Sequence, residues 1–294
     1  MRRVLLALTC FLASASLTSA QTPGKRVYIS VDLEGISGIN GDDQTSAGQP
    51  EYARARKLMA EDANAAIRGA FEGGATEVVV NDSHGSQRNL LPEDLDPRAR
   101  LISHSFKRYG MMEGLDDSFD AVIFVGYHAK ADSPRGVFAH TGSGVIRDLQ
   151  INGQSVGEGG MNAALAAWYG VPVVAVSGDD VAVAEVKGLV PGIKTAAVKR
   201  AINMRAVELK PLQQARREIQ EACRDGVAAA RKTTPRRQGP YRVTLQYRNF
   251  TFAEVASAFQ EIQVLAPDTV TFSRDTMPEA YRLIRVLYRF INPD

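Results

Sequence analysis

The chain returns again and again to short, nearly all-apolar runs separated by helix-length segments, and few architectures accommodate that rhythm. Residues 120–126 read Asp120-Ala121-Val122-Ile123-Phe124-Val125-Gly126. A strand this apolar is stable only when both of its faces are covered, as in a parallel sheet packed between helices. Runs at 27–34, 76–81 and 171–176 share the character. Between them, Tyr52, Ala55, Leu58, Met59, Ala63, Ala66, Ile67 and Ala70 fall on one stripe of a helix over 51–72, which Gly73-Gly74 stops. Further helices are predicted at 158–169, ending at Gly170, and at 179–188. Asn152-Gly153 marks a hairpin between 145–151 and 154–156. The alternation predicts an α/β fold of three layers with a largely parallel sheet.

The polar residues that close these runs carry the chemistry. The first ends Asp32-Leu33-Glu34-Gly35, and alternation along a strand sends both acids from one face. The second reaches Asn81-Asp82-Ser83-His84, and the third Gly126-Tyr127-His128. His140 stands at another transition to glycine, in Ala139-His140-Thr141-Gly142, and Glu158 lies among glycines in Gly157-Glu158-Gly159-Gly160. Each alone has an ordinary explanation, such as a helix cap, a helix-dipole acid or a backbone-bonded loop histidine. Together they bring three acids and three histidines to the loop ends of one sheet, where parallel α/β proteins place their sites. Imidazole with carboxylate suits zinc. More donors than a tetrahedral ion accepts suggest two ions sharing a carboxylate. No CxxC, HExxH, GxSxG, phosphate-binding loop or dinucleotide glycine pattern is present.

Residues 1–20 read as a secretory signal: Arg2-Arg3, an apolar stretch from Val4 to Leu17, and small residues up to Ala20, after which cleavage is expected. A retained N-terminal anchor is the alternative. The expected location is outside the cytoplasm, periplasmic or secreted, with no membrane association after cleavage. Of 35 basic and 33 acidic residues, the signal holds Arg2 and Arg3, so the mature chain balances and shows no nucleic-acid-binding charge. Cys223 is its one cysteine, which precludes an internal disulfide. The sequence suggests a catalytic α/β domain over 21–195. A smaller α+β subdomain over 196–294 would hold a charged helix at 207–231, short strands near 241–247, 261–265 and 269–273, and a final helix at 276–291.

Several of these segments resemble one family in order and spacing. Ser30-Val31-Asp32-Leu33-Glu34-Gly35-Ile36-Ser37-Gly38 is similar to the S-x-D-x-E-G motif of the DppA-type D-aminopeptidases, a family of zinc metallopeptidases. Val80-Asn81-Asp82-Ser83-His84, Met112-Glu113-Gly114-Leu115-Asp116, Gly126-Tyr127-His128-Ala129 and Val156-Gly157-Glu158-Gly159-Gly160-Met161-Asn162 also match, as do Ser177-Gly178-Asp179-Asp180 and Thr195-Ala196-Ala197-Val198-Lys199. The resemblance spans roughly 26–290.

The resemblance implies a dinuclear zinc site on Asp32, Glu34, His84, His128 and Glu158, with Asp32 as the bridge and His140 as the catalytic residue. One extra residue here separates His128 from His140 relative to the family. It implies hydrolysis of the N-terminal residue from short peptides, D-alanine peptides foremost, by a ring-like decamer of stacked pentamers. Asp82 and Asp179 are expected to orient ligating histidines, and His104 has no counterpart among the ligands. The same donors would suit another dinuclear metallohydrolase, an amidase or a phosphoesterase, or an exported metal-containing binding protein. The signal segment sets this chain apart from the cytoplasmic members of the family.

Overall fold

The computed structural model describes residues 24–291; the signal segment expected over 1–20 lies outside them. The chain opens with β1 (Lys25–Val31), α1 (Tyr52–Glu72), β2 (Ala75–Asp82), β3 (Ala99–Ile102) and β4 (Ala121–Tyr127). A hairpin of β5 (Ile146–Ile151) and β6 (Gln154–Ser155) follows, then α2 (Glu158–Tyr169), β7 (Val173–Asp179), α3 (Asp180–Leu189), β8 (Lys194–Ala201) and β9 (Val207–Leu209). The remainder comprises α4 (Leu212–Ala229), β10 (Tyr241–Tyr247), α5 (Phe250–Ala256), β11 (Gln263–Ala266), β12 (Thr269–Arg274) and α6 (Met277–Arg289).

Seven strands form the main sheet in the order β3-β2-β1-β4-β7-β8-β9, parallel except for the last pair. Val27, Ile29 and Val31 of β1 are fully buried against the layer of α1 and α4. Tyr28 faces the opposite core with Phe124, Met161 and residues of α6. Each such aliphatic side chain contributes about 1.5–3 kcal/mol by leaving water. A second sheet, β11-β12-β10-β5-β6, is antiparallel and packs its apolar face into this second core. The α/β class and largely parallel sheet are as expected. No helix among the described residues is long and apolar enough to cross a membrane.

Three expectations change. The two sheets do not part at residue 195: β8 and β9 lie in the main sheet and α4 packs on α1, while the β5–β6 hairpin joins the second sheet. The helix expected over 207–231 is β9 followed by α4, because Pro211 holds Lys210 out of helical geometry and starts the helix after it. Asp32 and Glu34 do not alternate along a strand; β1 ends at Val31 and both acids sit in the turn that follows.

The strand order makes β1 a switch point. From it the chain winds one way through β2 and β3, then the other through β4, β7 and β8. In open α/β sheets the crevice beyond the carboxyl ends of such strands is where ligands bind. Here β1 and β4 are drawn tightly together: Asp32 N donates to Val125 O at 2.8 Å and Gly35 N to Gly126 O at 2.8 Å. A β-carbon on Gly35 would lie 2.0 Å from Tyr127 O, so only glycine allows this approach.

Candidate metal centre

All six acids and histidines expected to form the site, Asp32, Glu34, His84, His128, His140 and Glu158, reach the crevice. Asp32 and Glu34 arrive from the turn after β1, His84 from the loop after β2, His128 from the end of β4, and Glu158 from the first turn of α2. Their side chains form three overlapping groups of donor atoms, each within 4.8 Å: Asp32, Glu34 and His84; Asp32, His128 and Glu158; and Glu34, His128 and His140.

The histidines are aimed by the backbone. The Nε2–H of His84 donates to Thr45 O at 2.7 Å, leaving Nδ1 facing Glu34 Oε2 at 2.8 Å and Asp32 Oδ1 at 3.3 Å. The Nδ1–H of His128 donates to Ala129 O at 2.9 Å. Its Nε2 then faces Glu158 Oε2 at 3.3 Å and Asp32 Oδ2 at 3.5 Å, and this buried nitrogen has no hydrogen-bond partner. His140 is held the same way, Nδ1 to Phe138 O at 2.8 Å, with Nε2 3.7 Å from Glu158 Oε1. In each case a ring nitrogen whose lone pair is free confronts a carboxylate. Two electron-rich groups face each other stably only with a cation between them, either a proton or a metal ion.

The electrostatics point the same way. Burial and the neighbouring Glu34 push the Asp32 carboxyl up. Burial opposes ionisation of Glu34 and Glu158 too, but the imidazoles of His84 and His128 outweigh it and hold both acids low. Burial also works against charge on His84 and His128, and the facing carboxylates overcome it and raise them well above the ordinary histidine value. His140 goes the other way, lowered by burial and by its neighbour His128. The two oxygens of Asp32 point to different donor groups, Oδ1 to that of His84 and Oδ2 to that of His128. Donor identity, burial and the orphaned His128 nitrogen all fit a pair of zinc ions.

Further residues brace the cluster, and sequence reasoning missed them. The ammonium of Lys199 is buried and donates to three main-chain carbonyls of the turn that carries the acids: Glu34 O at 2.5 Å, Ile39 O at 2.7 Å and Ile36 O at 3.2 Å. Lys107 does the same under the His84 loop, reaching Asn81 Oδ1 and Asp82 O at 2.7 Å and Ile102 O at 3.1 Å. The matched segments containing Asn81 and Lys199 were the available signal. Asp82 and Asp179 touch no imidazole. Asp82 accepts from the main-chain nitrogens of Asn89 and Leu90 and from the Asn89 side chain, which also donates to His84 O. Asp179 caps α3. Main-chain carbonyls take the histidine contacts expected of these acids. His104 is exposed and accepts from the nitrogen of its neighbour Ser105.

The cluster opens into a cavity of about 890 Å³. Its walls come from the loops around Asn40–Thr45 and Pro134–Gly144, from Asn203–Arg205 of the β8–β9 turn, and from Arg285, Tyr288 and Arg289 of α6. His140 faces this space with 28% of its side chain exposed, against 2% for His128 and 10% for His84, so it is the imidazole a substrate can reach.

Known proteins share this arrangement of sequence and fold. The family model Peptidase_M55, described as D-aminopeptidase, matches residues 25–286. The chain is 40% identical over 264 residues to a D-aminopeptidase of Bacillus subtilis (strain 168), covering 89% of this chain and 96% of that protein. It also superposes with a TM-score of 0.85 and 39% identity on a solved structure from Bacillus subtilis, described as the Zn-dependent D-aminopeptidase DppA, a self-compartmentalizing protease; 89% of this chain and 96% of that one are covered.

Proposed function

Since this chain belongs to the D-aminopeptidase family, we propose that it is a dinuclear zinc aminopeptidase removing the N-terminal residue of short D-amino-acid peptides such as those of D-alanine. The carrying observation is that the two oxygens of Asp32 face different donor groups, so that this one carboxylate would serve both. Asp32, Glu34, His84, His128 and Glu158 would hold the zinc. Once bound, zinc supplies Lewis acidity, which acidifies a water and polarises a peptide carbonyl.

The chain's own part is to aim and to move a proton. The anchored Nδ1–H of His140 leaves Nε2 as the atom that exchanges a proton with substrate. Burial beside His128 favours its neutral form, so Nε2 can take the proton that the attacking water gives up and pass it to the amine as the C–N bond breaks. The carbonyls of Thr45 and Ala129 fix the tautomers and directions of His84 and His128.

The solved relative is self-compartmentalizing, and this supports assembly of the present chain into a homo-oligomer, a decameric ring of stacked pentamers in our reading. The apolar stretch Val4–Leu17 supports export before assembly. Zinc analysis of the purified protein, paired with hydrolysis of D-Ala-p-nitroanilide, L-Ala-p-nitroanilide and p-nitrophenyl phosphate, tests the function. Bound zinc with cleavage of the D-anilide is expected. Cleavage of the phosphate ester alone, or chelator-insensitive activity, would overturn it. Light scattering tests the ring, and N-terminal sequencing of exported material, expected to start near Gln21, tests the location.

A further inference from the structure

Two cations that line the cavity have no anionic partner among the described residues. Arg285 and Arg289 stand one turn apart on α6 and both line the space into which the acid–histidine cluster opens. A third arginine of the lining, Arg205, pairs with Asp42 at 3.4 Å. Neither Arg285 nor Arg289 forms an ion pair with a carboxylate among the described residues.

Arg285 is 5% exposed, no carboxylate among the described residues pairs with it, and the nearby Lys107 ammonium carries like charge. Its Nη1 donates to the carbonyls of Lys107 and Arg108, its guanidinium lies to one side of the adjoining Phe106 and Phe290 rings, 5.9 and 5.8 Å from their centroids, and the Tyr288 phenol is beside it. Nε is buried against Gly110 without a partner. A buried guanidinium with no counter-charge is costly. Arg289 is exposed, and only Nη2 is engaged, donating to Gly85 O at 3.0 Å. Gly85 directly follows His84, so this guanidinium is tied to the loop that carries one of the donors, within the same cavity lining, and its other N–H groups make no hydrogen bond among the described residues.

We infer that Arg289, reinforced by the buried charge of Arg285, takes the free C-terminal carboxylate of the substrate, and so selects short peptides with an unblocked C-terminus. This rests on the aminopeptidase reading above. A short peptide is a zwitterion, and a fully extended dipeptide spans about 7 Å. A cavity with carboxylates and metal donors beside unpaired guanidiniums matches that charge pattern. The planar fork of arginine suits a carboxylate better than an ammonium would.

The test is calorimetric binding of a D-Ala-D-Ala analogue whose peptide bond is replaced by a non-hydrolysable CH2–NH linkage. It is offered as the free acid and as the C-terminal carboxamide, to the zinc-loaded protein and to R289M and R289K. The acid is expected to bind the unmodified protein at least about tenfold more tightly than the amide, the scale of one charge-assisted hydrogen bond. In R289M the acid-to-amide ratio should fall to within about threefold, and R289K should retain part of it. Equal binding of acid and amide by the unmodified protein, or an unchanged ratio in R289M, would overturn the inference. Failure of the aminopeptidase reading shows separately, as absent hydrolysis of D-Ala-D-Ala by a protein that still distinguishes the two analogues.

Discussion

The rings of His128 and His140 lie nearly parallel, 15° apart, with their centroids 4.0 Å from one another. One nitrogen of each ring is tied to a main-chain carbonyl, so the stack presents two Nε2 atoms toward Glu158. The pair is chemically unequal. Carboxylates surround His128 and hold it well above the ordinary histidine value, whereas His140 lies below it and opens to the cavity. This inequality supports the proposed division, in which His128 binds metal and the more accessible His140 transfers the proton.

His140→Ala therefore separates the two roles. Zinc content should stay near that of the unmodified protein, because the five proposed ligands remain. Turnover should fall by roughly 10² to 10⁴, the range for loss of a positioned acid–base group, with KM changing less than kcat. Metal content and kcat measured on one folded preparation check this, and loss of one zinc equivalent would make His140 a ligand instead.

Asp32→Ala should be the most damaging ligand substitution. Its two oxygens serve separate donor groups, so its removal should empty or distort both sites, whereas His84→Ala should remove about one equivalent of metal. Elemental analysis after gel filtration distinguishes them. An Asp32→Ala protein that kept both ions would refute the bridge.

Removing the metal should also destabilise the fold. Without it, three buried carboxylates and the free ring nitrogens confront one another across a few ångströms. Zinc at a hundredfold excess over its Kd is worth about 2.7 kcal/mol, and in a domain of this size that corresponds to roughly 5–10 °C in Tm. Thermal unfolding with and without chelator, followed by zinc addition, measures the difference and its reversal.

Lys199→Met leaves the carbonyls of Glu34 and Ile39 without a donor beneath the acid-bearing turn, while Ile36 O keeps the main-chain nitrogen of Ile39. Each unsatisfied group costs about 1–3 kcal/mol, so a loss of about 2–6 kcal/mol is expected from the shift in denaturant midpoint. Zinc affinity, read by competition with a chelator of known strength, should weaken as well, because Glu34 lies in the segment that is released.

Gly35→Ala is expected to be as severe for a different reason. The added carbon would meet Tyr127 O at 2.0 Å, between two strands already joined by main-chain hydrogen bonds. Either β1 and β4 separate or the turn shifts, and a loss above about 3 kcal/mol should show in thermal unfolding.

The strand ends were legible in the sequence because acids and histidines are conspicuous where an apolar run stops, and a parallel sheet gathers such ends at one edge. Asp32, Glu34, His84 and His128 meet for that reason, joined by Glu158 from the start of α2 and His140 from the loop between β4 and β5. What aims them was not legible. The carbonyls of Thr45, Ala129 and Phe138 belong to the backbone and carry no mark in the residue type. Lys107 and Lys199 are of a kind normally found in solvent, and only the folded chain shows their ammonium groups enclosed. Asp82 and Asp179 look like partners for imidazoles but satisfy nearby main-chain nitrogens. The helical charge pattern from residue 207 concealed the stop imposed by Pro211. The sheet partner of the β5–β6 hairpin lies some ninety residues downstream, beyond the reach of local pattern.

The order of these parts along the chain has a consequence for biogenesis. The acids and histidines all lie between residues 32 and 158, while Arg285, Tyr288 and Arg289 belong to the last helix. A nascent or clipped chain lacking α6 therefore holds every metal donor but not the wall that encloses substrate. The proposed metal donors and the proposed peptide selection would thus depend on different stretches of the chain, residues 32–158 and α6.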